Sequence, residues 1–193
     1  MDSVWKKFWN EGFSPDSYLE MMSSPDRIAQ YRSDIAAYNP SEEAKASISS
    51  WPSGIKVGII TEEWCGDAAN FVPAFLKLFS LRPEFEVKLF ARDEFPELRD
   101  AHLTGGKAKI PVVVVLDAEW NELGRFVERP AAQNRWLSEA LAPRKWPELT
   151  EDEKAEWKAK LMAKGRELRD AAVWRLLCAV SQSLGQSELE AGC

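Results

Sequence analysis

One cysteine stands where a short apolar run gives way to a helix-like stretch: Cys65, in IITEEWCGDAANFVPAF, residues 59–75. A thiol in a strand-to-helix connection lies at or just before a helix N-terminus. Free backbone N–H groups and the positive end of the helix dipole favour a thiolate there. Three residues on, the chain has Ala68 in place of a second cysteine. A mixed disulfide formed at Cys65 therefore needs another thiol to complete an exchange. Glu62, Glu63 and Asp67 flank Cys65, and each negative charge within reach raises a thiol pKa, opposing the helix end. Arg92 and Arg129 offset that charge if the fold brings them near, unless their neighbours Asp93 and Glu128 neutralise them. Asp67 reads as a helix-start acid complementing the dipole in preference to a buried proton acceptor.

The other reactive residues offer less. Cys178, inside AVWRLLCAV, reads as a core residue of the last helix, and Cys193 as a stray terminal thiol within reach of Cys65 as a resolver. His102 has no identifiable partner and reads as a surface residue. Three cysteines without short spacing and a single histidine do not make a zinc site or a disulfide scaffold. Neither metal nor cofactor is expected. The nine tryptophans have no glycine-rich or basic pattern around them that would suggest a nucleotide site.

The elements that must position Cys65 follow from hydrophobic periodicity. IKVGIIT is a buried strand, and DAANFVPAFLKLFSL shows helical spacing through Phe71, Phe75, Leu78 and Phe79. FEVKLFA is a second strand and DEFPELRDAHL a second helix, stopped by Gly105 and Gly106. PVVVVLD and LGRFVER form a hairpin, and Pro130 opens the helix AAQNRWLSEAL. The order β-α-β-α-β-β-α, with a right-handed crossover, gives a four-stranded mixed sheet flanked by helices.

Before this core, Ser14-Pro15-Asp16 and Ser24-Pro25-Asp26 are helix starts, Ile28, Tyr31, Ile35 and Tyr38 share a helix face, and SEEAKASIS is a further short helix. After it, Thr150 and Glu153 stand in capping-box register. Trp157, Leu161, Leu168, Ala172, Leu176, Val180 and Leu184 then mark one long amphipathic helix with a weak point at Gly165. That stripe fits its own domain or a homodimer through the C-terminal helix. The reading divides the chain into an N-terminal helical extension (1–53), a central domain (54–142) and a C-terminal helical extension (143–193).

WCGDA with Pro73 eight positions beyond Cys65, followed by KIPVVVVLD with Pro111 at a strand head, resembles the thioredoxin family. TEEWCGDA, RDEFPELRD, GGKAKIPVVVVLD and GRFVERP together look like a bacterial branch of it with WCGDA or WCPDC-type motifs. The resemblance covers roughly residues 50 to 142. It implies a thioredoxin fold, an active-site-like loop of Trp64, Cys65, Gly66 and Asp67, and a substrate-backbone wall of Ile110 and Pro111 with a cis bond at Pro111.

Two functions follow as expectations. One is a monothiol redox protein whose Cys65 exchanges with a protein thiol or disulfide, or with glutathione. The other is a redox-silent protein-binding module on the same scaffold. A shared iron–sulfur cluster is a weaker third, since this chain lacks closely spaced thiolates. A net charge of −6 with no basic patch argues against nucleic acid. No signal-peptide core or membrane-length apolar run is visible, which makes the cytoplasm the default compartment.

Overall fold

The computed structural model describes residues 3–186. The N-terminal segment supplies helices α1 (Val4–Phe8), α2 (Pro15–Met21), α3 (Pro25–Ala37) and α4 (Glu42–Ser49). Ser14, Ser24 and Ser41 cap α2, α3 and α4, accepting from Ser17 N, Arg27 N and Ala44 N. The core follows as β1 (Lys56–Thr61), α5 (Gly66–Phe79), β2 (Glu86–Ala91), α6 (Pro96–Asp100), β3 (Val112–Leu116), β4 (Glu122–Val127) and α7 (Ala131–Leu141). The C-terminal segment adds α8 (Glu151–Glu167) and α9 (Arg169–Ser183).

The sheet order is β2-β1-β3-β4, with β1 parallel to β2 and antiparallel to β3, and β4 antiparallel to β3. Register assigns the faces. Gly58, Val114 and Arg125 are paired neighbours on one face, where Trp5 of α1 stands over Gly58, so close that a Cβ there would lie 2.2 Å from its ring. On the other face Phe126 meets Phe71 and Phe75 of α5, with ring centroids 5.5 and 5.0 Å apart, and Gly124 admits Val180 of α9. The mixed four-stranded sheet with helices at both ends of the chain is the layout that the resemblance implied.

Two sequence expectations change. The single long C-terminal helix is two helices, α8 and α9, broken at Leu168 (φ −100°, ψ 8°). Its apolar stripe packs back on its own chain, with Ala172, Leu176 and Val180 buried. The helix Ala131–Leu141 buries only Gln133 and meets α8 through Trp136 and Trp157, whose rings lie 6.1 Å apart, while α9 lies against β4. His102 is not a surface residue: it is buried, its Nδ1 donates to the Leu98 carbonyl at 2.8 Å and its ring meets Trp5. No helix among the described residues is long and apolar enough to cross a membrane.

Candidate functional site

The site begins where β1 ends. Cys65 N donates to Glu62 O at 3.1 Å, closing a tight turn, and Cys65 becomes the N-cap of α5 with extended backbone angles (φ −77°, ψ 119°). Its sulfur takes the part that serine takes elsewhere in the chain, accepting from Ala68 N at 3.4 Å. On the other side Sγ donates to the Ile110 carbonyl at 3.6 Å, and the Ile110–Pro111 bond that follows is cis. The predicted loop and the predicted wall therefore meet at the thiol.

The thiol is only 8% exposed. Burial pushes its pKa up and Asp67 adds to the rise, against the Ala68 N–H and the Arg129 charge, which pull it down. The helix N-terminus alone does not win. The two glutamates act elsewhere: Glu62 accepts from Asp93 N at 2.9 Å, and Glu63 accepts from Ser23 N at 2.9 Å and Ser24 N at 2.6 Å. Glu63 thereby fastens the start of α3 to the Cys65 loop, and those N–H groups hold its carboxyl below the usual range.

Asp67 stands in the first turn of α5, as read, but it is also buried, the alternative that the sequence reading ranked second. Its side chain is 17% exposed and pairs with Arg129 at 3.0 Å. Burial and the nearby Glu128 outweigh the Arg129 attraction and push its carboxyl up to about 6. Arg129 is aimed there by Glu128, a non-glycine residue with φ 61°, whose N donates to Pro111 O at 2.8 Å. The Glu128 carboxylate accepts from Lys109 at 2.7 Å and Arg129 at 3.0 Å. A chain of four charges thus runs from Lys109 to Asp67, locking the end of β4 to the first turn of α5. Arg92 engages Asp93 through two bonds of 2.9 and 3.1 Å, and its guanidinium lies 4.9 Å from the ring centre of Trp64, which is 60% exposed.

Cys178 is half-buried and disulfide-bonded, not a core thiol, and Cys193 lies outside the described residues. Cys65 is a free cysteine. Among the described residues no three His, Cys, Asp or Glu side chains converge as a metal site. Next to the loop, a cleft of about 670 Å³ opens between α3, α5, α7 and α8. Sequence reasoning missed it, together with Lys109, because both depend on how distant helices and strand ends meet; Glu128 was named as a neighbour that neutralises Arg129, and it does bond Arg129. Arg129 was legible as a candidate only through its charge.

A family model described as Thioredoxin (Thioredoxin_9) matches residues 12–142. The structure is similar to that of a protein of unknown function, PA1234 from Pseudomonas aeruginosa, with a TM-score of 0.70 and 20% identity over 95% of this chain and 99% of that one. It is also similar to an HIV epitope-scaffold, with a TM-score of 0.68 and 18% identity over 93% and 99% of the two chains. These likenesses show a shared fold. No curated protein matches the sequence.

Proposed function

The chain belongs to the thioredoxin family, and from that premise we propose that it is a monothiol exchange protein whose Cys65 forms a mixed disulfide with a protein or with glutathione. The observation that carries this reading is the position of Cys65 Sγ between the Ala68 N–H and the Ile110 carbonyl, beside cis-Pro111. At rest the thiol proton is held by Ile110 O. An extended substrate segment lying along Ile110 and Pro111 offers its own N–H to that carbonyl and frees the thiol. The proton passes to the Asp67 carboxylate or to water, and the thiolate attacks one sulfur of the substrate disulfide. The new S–S bond forms as the old one breaks, and the departing sulfur leaves with the electron pair and takes up a proton. With Ala68 in the resolving position, an external thiol attacks the mixed disulfide and restores Cys65. One turn exchanges one disulfide for another.

One observation favours the second reading, a redox-silent scaffold that holds a partner: burial pushes the Cys65 thiol up, where a resting nucleophile is usually lowered. Incubation with oxidised glutathione near neutral pH separates the two. Peptide mapping should find a glutathione adduct at Cys65 in the folded protein and none at that position in Cys65→Ser. A folded wild type that stays unmodified at Cys65, and reacts there only in denaturant, would overturn exchange and leave the scaffold.

A further inference from the structure

The cleft beside the loop takes Trp64, Gly66 and Asp67 into its lining, whereas Cys65, Ile110 and Pro111 do not line it. We propose that this cleft binds a small organic anion with an apolar body. Its volume of about 670 Å³ falls within the range of sites that enclose drug-sized molecules. Arg27 of α3, Arg129 beyond β4 and Lys158 of α8 converge on it against a single lining carboxylate, Asp67. In a chain of net charge −6 this is a local excess of positive charge. Among the described residues neither Arg27 nor Lys158 has a carboxylate within ion-pair distance, and Arg27 donates instead to the neutral Gln30 Oε1 at 2.8 Å. Glu63 acts on Arg27 and Glu151 on Lys158 only through space, without closing an ion pair.

The remaining lining suits an apolar body. Trp64, Trp146, Leu137 and Met162 come from separate elements and present aromatic and aliphatic surface. Polar atoms are left over as well. Gln30 Nε2 and Arg129 Nε are buried donors without an acceptor, and Asn70 Oδ1 is a buried acceptor without a donor. Asn70 as a whole is 1% exposed. Buried polar groups are nearly always paired, and three unpaired ones on residues of one cleft give an occupant two donors and one acceptor to meet. Anion binding here does not depend on exchange at Cys65.

The test uses two dyes that share one body, anilinonaphthalene sulfonate, which carries the anion, and N-phenyl-1-naphthylamine, which lacks it. The full chain should bind the sulfonate saturably at one site. Arg27→Glu/Lys158→Glu should weaken it by about tenfold or more, the scale expected for removing two nearby charges. The neutral dye should bind the wild type weaker by a similar factor. Lys6→Glu, on α1 and away from the lining, and Cys65→Ser should leave affinity unchanged. Sulfonate binding that never saturates, that survives the double reversal, or that the neutral dye equals would overturn the proposal. Should the double reversal fail to fold by circular dichroism, Arg27→Gln/Lys158→Gln takes its place, and unchanged affinity in that variant overturns it equally.

Discussion

Cys65 and Asp67 form a pair whose protonation states oppose each other. The carboxylate raises the thiol pKa, and burial keeps the carboxyl itself up near 6. Asp67→Asn removes the negative charge without removing the shape. The alkylation midpoint of Cys65, followed by mass spectrometry, should therefore move to lower pH in that variant, and an upward or absent shift would discount Asp67 as the opposing charge. The same substitution has a consequence for stability. A carboxyl whose folded pKa of about 6 lies above its unfolded 3.8 binds more protons in the folded state between those values, so stability falls as pH rises through that window. Asparagine mimics the protonated form. Asp67→Asn should match the wild type in urea unfolding near pH 3.5 and exceed it above pH 7, by up to about 3 kcal/mol. A variant less stable than the wild type at pH 7 would mean that the Arg129 pairing outweighs burial.

The elements show where local pattern suffices and where it does not. The strands, the serine caps and the helix Ala131–Leu141 were legible because each depends on its own residues. The break between α8 and α9 was legible only as a weak point at Gly165; its place at Leu168 was not, because its causes lie in other helices. Gly165 lets α8 approach α5 so closely that a Cβ would lie 2.3 Å from Asn70 Nδ2. The next turn is then tied down by Arg169, whose Nε donates to the Asn70 carbonyl at 2.7 Å and Nη2 to Asp34 at 2.8 Å. Both charged residues are buried, a role that a charged residue in a helical pattern does not advertise. Arg169→Ala strands Asp34 with only the looser contact to Arg166 at 3.7 Å and should lower stability by about 3–5 kcal/mol. Asp34→Leu/Arg169→Met removes both charges and should lose much less. A double variant as unstable as Arg169→Ala, in urea midpoints measured side by side, would locate the effect in lost packing instead of a stranded charge.

For the whole molecule, the Cys65 loop could be read from its motif, but the cleft could not, since its walls come from helices on both sides of the motif. The same holds for the core. From the N-terminal segment, Trp5, Trp9, Tyr18 and Tyr31 enter the same buried cluster as the strands. Phe13 exchanges two backbone bonds with Leu89, at 2.9 and 2.8 Å, along the outer edge of β2, covering an edge that would otherwise invite pairing with another chain. From the C-terminal segment, Val173, Leu176, Leu177 and Val180 join the cluster as well. A fragment of residues 54–142 keeps every strand and the Cys65 loop, yet it exposes apolar surface on both faces of the sheet and uncovers the β2 edge that Phe13 covers. It should aggregate or lack a cooperative unfolding transition, while the full chain unfolds in one step, with near-ultraviolet circular dichroism of the tryptophans as the readout. A fragment that folds cooperatively would make the flanking helices ornaments on an independent domain. If it instead fails, the flanking helices are part of the fold that holds Cys65 against Ile110.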